Sequence, residues 1–450
     1  MWLDSADGLL AANGLVLEQA GRAMPWLRRC LPKATTPWCP GQPAAAEDSA
    51  PDSWEAQIPV PMAAFTGRRS LLTLQGQAPL ELDLLQGRLR TVASEAPAAR
   101  LRLTGDATEV LGLAQALTAD LPLLPSPDLA EAALGLARLR PPRARRKGAP
   151  DVQPGSSMEA ALLAVTGHLL EVMLQHAPGC TLQAGPEGVH QLRVALRRLR
   201  SALRNFRPLI GCPEVDAFDK SLARLARHLG PARDWDVFLA GLGAELATAV
   251  GQDQRCAQLL RAAEARRLAA YTALREALDG PAFRQMIMAG IALVALRPWR
   301  EAETPAPALD LPAEAHGSAL LQRRWQKLRK QGEEIEALDA EALHELRLAC
   351  KRLRYVAEIF TPLWPGKTAR RFMARLAGVQ EALGQANDMA VARGLVASLL
   401  VGAPGNGPVA TPCAVGLAEG FALGRLGDTR QAGLETWEKL MDARPFWHQA

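Results

Sequence analysis

Aromatic residues make up only 5% of the 450 positions, with two tyrosines in the whole chain. Platforms that stack nucleic-acid bases need aromatics interleaved with cations, so this scarcity counts against them. Helix-turn-helix, RNA-recognition and zinc-finger patterns are missing as well. Seven cysteines are dispersed without a CxxC pair (Cys30, Cys39, Cys180, Cys212, Cys256, Cys350, Cys413). An odd, scattered set fits reduced thiols in a cytosol better than a disulfide framework. The start, Met1-Trp2-Leu3-Asp4, has neither the basic nor the apolar region of a signal peptide. The best apolar run, Met286 to Leu296, is shorter than the roughly 20 residues a membrane span needs. These absences lead to the expectation of a cytoplasmic protein with no membrane partner. A net charge of +5 is mild, so any strong basic character must be local.

One local absence is sharper. Between Gly188 and Pro213 no acid occurs, although the stretch is full of arginine. An ordinary surface helix mixes its signs to gain i,i+4 pairs. On a wheel of about 100° per residue, Leu192, Ala195, Leu196, Leu199, Leu203 and Phe206 gather as a core stripe. His190, Arg193, Arg197, Arg200 and Arg204 form a second stripe beside it.

The stretch His190-Gln191-Leu192-Arg193-Val194-Ala195-Leu196-Arg197-Arg198-Leu199-Arg200 recurs as His344-Glu345-Leu346-Arg347-Leu348-Ala349-Cys350-Lys351-Arg352-Leu353-Arg354, a shift of 154 residues (344 − 190). His344, Arg347, Lys351 and Arg354 keep the register, but Glu358 stands where Arg204 stands in the first copy. The same shift carries Phe206 onto Phe360, Leu229-Gly230 onto Leu383-Gly384, and Asp234 onto Asp388. A register held this far marks two copies of one multi-helix unit.

The doubled H-x-L-R-(V/L)-x-x-(R/K)-R-L-R, each followed by L-G-x-x-x-D, resembles the CHAD domain, the conserved histidine α-helical domain, over roughly residues 157–450. The resemblance implies two tandem four-helix bundles with a basic cavity that binds inorganic polyphosphate.

The N-terminal part is different. Leu71 to Leu74, Leu80 to Leu85 and Arg100 to Asp106 alternate like strands, and Ala107 to Ala119 has a helical pattern. The opening W-L-D-S-A-D-G-L-L-A-A-N-G-L and the later A-R-L-R-L-T-G-D resemble the CYTH domain, the triphosphate tunnel fold. That family's E-x-E-x-K strand has no counterpart here. Its L-x-R-x-R reads Leu15-Val16-Leu17-Glu18-Gln19, and Ala and Arg occupy its Mg²⁺-holding acidic pair around Ala99 to Arg102. Triphosphate hydrolysis needs metal-held oxygens and cations to absorb developing charge, so a catalytically dead remnant is expected, with no cofactor and no metal.

The expected organisation is therefore α+β. A degenerate CYTH-like domain occupies 1–138, with a Pro/Ala/acid-rich insertion from Pro37 to Pro61. A basic Pro/Gly linker follows at 139–157, then a CHAD domain at 158–450 with halves of about 158–300 and 313–450. Within it the pattern ends one helix at Leu229, before Gly230-Pro231, and lets Asp234 N-cap the next. Later helices are expected at Val237–Val250, Gln254–Ala277, Ala282–Leu296, Gly317–Lys330, Ala342–Phe360, Thr368–Leu383, Met389–Leu400 and Ala414–Met441, with a loop from Gly402 to Pro412.

Beside the two stripes, Lys220, Arg224 and Arg227 follow i, i+4, i+7 on the helix after the first motif. Arg323, Lys327 and Lys330 do so on the helix before the second. A ladder of planar guanidiniums suits a chain of phosphates. The competing reading pairs these cations with acids of neighbouring helices. His190 and His344 fit phosphate contact, a helix-start bond or, least well, catalysis. Asp234 and Asp388 fit capping better than metal binding, and Arg198 and Arg352 point off the stripe toward acids. The expected function is non-enzymatic polyphosphate binding at polyphosphate granules. The alternatives are a CYTH-type Mg²⁺-dependent triphosphatase and a protein-interaction scaffold. Polyphosphate-metabolism proteins and a second copy of the chain stay open as partners.

Overall fold

A computed structural model describes residues 1–30, 49–75, 79–138, 150, 152–301, 306–401, 408–424 and 429–448. Most of the expected linker (139–149 and 151), residues 31–48 of the insertion and its flank, and 402–407 of the expected loop lie outside the described residues. The chain forms two compact units. The first comprises Met1–Arg146 together with Arg284–Arg297, the second Lys147–Phe283 and Pro298–Ala450.

The first unit is built on an antiparallel sheet of order β3-β2-β1-β4-β5-β6. Its strands are β1 (Trp2–Asp4), β2 (Leu15–Glu18), β3 (Trp26–Arg29), β4 (Val60–Leu74), β5 (Leu80–Arg90) and β6 (Glu95–Thr104). The sheet agrees with the β-rich domain that the CYTH resemblance implies. Its long ribbon begins at Val60, so the expected insertion is shorter at its C-terminal end.

Helix α1 (Leu9–Ala12) is fixed by Asp4, a fully buried carboxylate that accepts N–H bonds from Ser5, Leu10 and Ala11. This is the physical content of the opening W-L-D-S-A-D-G-L. Helix α2 (Ala107–Asp120) is N-capped by Asp106, and α3 (Leu129–Arg138) lays Leu129, Ala130, Ala133 and Leu134 on a core with Trp2, Val16, Ala63, Leu89 and Ala98.

The second unit is helical. Its helices are α4 (Met158–His176), α5 (Glu187–Ile210), α6 (Pro213–Phe238), α7 (Ala244–Val250), α8 (Gln254–Asp279), α9 (Pro281–Leu296), α10 (Ala313–Gln331), α11 (Ala340–Phe360), α12 (Lys367–Ser398), α13 (Pro412–Gly424) and α14 (Thr429–Met441). From Arg284 onward, α9 belongs to the first unit. There Arg284 donates to the Thr118 carbonyl and Gln285 to the Gln115 carbonyl of α2. In one half α4 packs on α5, α5 on α6 and α6 on α8; in the other, α10 on α11, α11 on α12 and α12 on α14. The motif helices α5 and α11 are therefore equivalent members of two bundles. Phe206 and Phe360, equivalent by the 154-residue shift, stack across the seam with centroids 6.3 Å apart.

Four expectations are corrected. Helix α6 does not end at Gly230-Pro231; it runs through both to Phe238. An interior proline costs about 3 kcal/mol, but Leu229, Ala232, Trp235 and Phe238 continue the buried stripe past it, and each large apolar side chain returns roughly 1.5–3 kcal/mol. The helix then breaks at Leu239–Gly243, where Gly241 leaves helical geometry. The helices expected at Thr368–Leu383 and Met389–Leu400 are one continuous α12. The single helix expected at Ala414–Met441 is two, α13 and α14. Finally, Met158–Gly179 rather than the run at Met286 is long and apolar enough to cross a membrane by length and composition; here it is mostly buried as a core helix.

Candidate polyanion site

Helix α5 turns its apolar positions inward, from Val189 and Leu192 through Leu199 to Phe206 and Ile210. That fixes the basic stripe along its flank, as the wheel predicts. What the stripe residues meet there differs from one to the next.

At the N-terminal end the cations crowd. His190 is half-buried, and its pKa lies below the usual histidine value; burial is the first cause, followed by Arg233 of α6, which Glu187 opposes, with smaller contributions from Arg197 and Arg198. Arg193 is pulled below the ordinary arginine range by burial, with Arg197 and Arg233 adding to the shift while Asp234 opposes it. Its guanidinium lies 3.6 Å from Asp234 Oδ1, an ion pair longer than a hydrogen bond. Arg197 is exposed, with no acid partner among the described residues.

The L-G-x-x-x-D signature acquires a role here. An ideal Cβ on Gly230 would lie 3.6 Å from Arg193 Nη1, and one on Gly384 would lie 3.9 Å from Arg347 Nε. In both halves the glycine passes beside the guanidinium of the equivalent stripe arginine, and a side chain larger than a methyl would displace it. Asp234, one turn on, faces that arginine from inside α6. The expectation that it caps a new helix is overturned because no helix starts there. The side chain of Asp388 lies outside the described residues.

Farther along, the stripe is tied down. Arg200 donates to both carboxylate oxygens of Asp219 at 2.8 and 3.4 Å. Arg354 donates to Glu358 Oε1 at 3.0 Å and to Gln380 Oε1 at 3.3 Å. Glu358 also accepts from Arg198 at 2.7 Å across the seam, as expected of an off-stripe arginine. Arg200 and Arg354 of the stripes thus already hold acids with their forks. Arg352, also expected beside an acid, has none among the described residues.

On α11, Asp339 caps the start by accepting from Ala342 N–H, and His344 is exposed. Arg347 is only 8% exposed, and Lys351 is half-buried. Lys220, Arg224 and Arg227 on α6 and Arg323, Lys327 and Lys330 on α10 are all exposed. The α6 trio lies about 100° around the helix from the face that carries Asp219 and Gly230. No described contact joins it, or Lys327 and Lys330, to the stripes.

The structure thus brings together His190, Arg193 and Arg197 with Arg233, and sets Tyr355 of α11 near Arg193. Arg233 is absent from the sequence-based set because Gly230-Pro231 reads locally as a helix end. Continuing the helical count past Pro231 would have found it. Chemically, the cluster offers planar donors and partly desolvated positive charge, suited to oxyanions. Among the described residues no three His, Cys, Asp or Glu gather closely enough to hold a metal ion.

A family model for the CHAD domain matches residues 164–397. The crystal structure of the CHAD domain from the plant Ricinus communis is similar at 30% identity, covering 67% of this chain and 98% of that one with a TM-score of 0.55. PptA from Streptomyces chartreusis is similar at 19% identity, covering 63% of this chain and 100% of that one with a TM-score of 0.48. No curated protein matches the chain. With the repeated motif and the paired bundles in place, the family model and the Ricinus communis match show that the chain belongs to the CHAD family.

Proposed function

We propose that this chain binds inorganic polyphosphate without hydrolysing it. CHAD domains are associated with polyphosphate binding. The observation that carries the reading is the N-terminal end of α5. Four cationic or titratable side chains, His190, Arg193, Arg197 and Arg233, crowd together, and among the described residues the acids that oppose them are Asp234 and Glu187. Such a surplus is relieved by a bound polyanion. The triphosphatase alternative needs clustered carboxylates and the arginines that β2 lacks, and the donor chemistry does not favour it. In a cell, such a protein would dock on cytoplasmic polyphosphate granules.

The test is a titration of the full chain with polyphosphate at about 50 and about 200 mM salt, with phosphate release followed in Mg²⁺. If six or so cations contact the polymer, affinity falls on the order of 10²–10³ between the two conditions. Absent or salt-insensitive binding would sink the proposal, and Mg²⁺-dependent release would sink its non-enzymatic half.

His190 makes affinity depend on pH. Burial and then Arg233, with Arg197 and Arg198 adding less, hold the free pKa below 6.5 against Glu187, while bound phosphate favours the charged ring and raises it. Affinity therefore strengthens as pH falls through the bound-state pKa and levels off below the free-state value. Calorimetry at about pH 5.5 and 7.5 should show several-fold tighter binding at the lower pH, with proton uptake, and His190→Gln should flatten the difference. An equal pH dependence in that variant would show that another group titrates.

A further inference from the structure

The seam between the bundles is built from equivalent residues but is not electrostatically symmetric. On one side Arg198 of α5 donates to Glu358 of α11 at 2.7 Å, with Arg354 on the other oxygen. The side chains are only 16% and 10% exposed at Arg198 and Glu358. Carried by the 154-residue shift that superposes Phe206 on Phe360, Arg198 becomes Arg352 and Glu358 becomes Arg204. The second side therefore has a cation where the first has a carboxylate. Arg200, the counterpart of Arg354, does not compensate, since it has turned to Asp219.

A further guanidinium reaches this stretch of α5 from α10. Arg324 of α10 donates to Asn205 Oδ1 at 2.9 Å, beside Arg204 in the chain. Burial, then Arg352 and Arg323, pull Arg324 below the ordinary arginine range, and no acid among the described residues counters them. Arg204, Arg323 and Arg352 are exposed and open to solvent. Arg204 lies fourteen residues beyond His190, about 21 Å along α5, so this is not the cluster at the helix start.

We propose that Arg204, Arg323, Arg324 and Arg352 form an oxyanion subsite on the α5–α10–α11 seam, where one phosphate group takes the place that the Glu358 carboxylate holds on the opposite side. The ligand class is a tetrahedral phosphate oxyanion. Its planar donors come from both repeat halves, so its occupancy ties the bundles together. Free orthophosphate and a unit of a longer polymer share this chemistry; only the polymer source rests on the function proposed above.

The experiment is thermal unfolding of the full chain in orthophosphate and in chloride of matched ionic strength. Wild type should melt roughly 3 °C or more higher in phosphate. Arg204→Glu recreates the ion pair of the first side. It should melt higher than wild type in chloride and lose the phosphate-dependent rise. Arg352→Gln, at an exposed position, should shrink that rise without recreating a pair. No rise in wild type, or a rise that survives both substitutions, would overturn the subsite. Polyphosphate titration of Arg204→Glu identifies the source: about tenfold weaker binding assigns a polymer unit, and unchanged binding assigns free phosphate. If wild type fails to bind polyphosphate while the orthophosphate rise still depends on Arg204, the functional proposal falls and the subsite stands.

Discussion

Arg193→Glu/Arg197→Glu/Arg347→Glu/Lys351→Glu is expected to weaken polyphosphate binding by about 10⁴-fold. A hydrogen bond to a charged group contributes on the order of 1.5 kcal/mol or more, so four lost contacts amount to roughly 6 kcal/mol, and each 1.4 kcal/mol is tenfold in affinity. The introduced carboxylates add repulsion to that loss. Arg347 is nearly buried, so the helix content of the variant must be checked by circular dichroism. The pair Arg197→Glu/Lys351→Glu, at less buried positions, keeps the test informative if the fourfold variant unfolds. Calorimetric titration at low salt is the measurement. Unchanged affinity with intact helices would mean that the stripes serve packing alone.

Phe360→Ala is expected to destabilise the helical unit by about 3–5 kcal/mol, the usual range for truncating a fully buried aromatic. Phe360 has no exposed surface. It stacks on Phe206, and α10 comes so near that a Cβ on Gly317 would lie 2.9 Å from its ring. A close backbone cannot collapse readily into the space a truncated ring leaves, so a cavity persists and the cost stays high. The loss also falls on the contact between the repeats, beside the Arg198–Glu358 bridge. Denaturant unfolding would show a lower midpoint, and affinity measured well below that midpoint should fall as well. A variant as stable as wild type would mean the seam repacks around the missing ring.

The helical unit was legible because its signals are periodic and doubled. The apolar stripe of α5 and its 154-residue echo fixed two equivalent bundles, and the alternation near Leu80 to Leu85 marked the sheet. Where each helix ends was less legible. Gly230-Pro231 and Leu383-Gly384 are local stop signals, overridden by an apolar face that continues beyond them, and that balance is set by tertiary burial. At the site, sequence spacing identified which residues share a flank but not what stands opposite. Arg197 and Arg200 are equal on a wheel. Only the packing of α6 gives Asp219 to Arg200 and leaves Arg197 without an acid among the described residues. Arg198 and Arg352 looked alike too, until Glu358 stood across from one and Arg204 corresponded to the same place across from the other.

The assignment of residues 284–297 to the first unit bears on how the chain is made. Everything else in that unit has been synthesised by residue 146, yet its last segment arrives only after the first motif helix and α8. On a ribosome the sheet must wait, with the α2 carbonyls of Gln115 and Thr118 lacking their donors Gln285 and Arg284. The wait spans more than a hundred residues, roughly ten seconds or more of translation. It also means that no single cut yields both units whole. A fragment beginning near residue 150 takes α9 with it, and one ending there leaves the sheet without its final helix. Separating the units calls for a rewired chain, with 284–297 joined to the N-terminal part and the helical unit closed by a linker long enough to span the roughly 22 Å that α9 covers between Phe283 and Pro298.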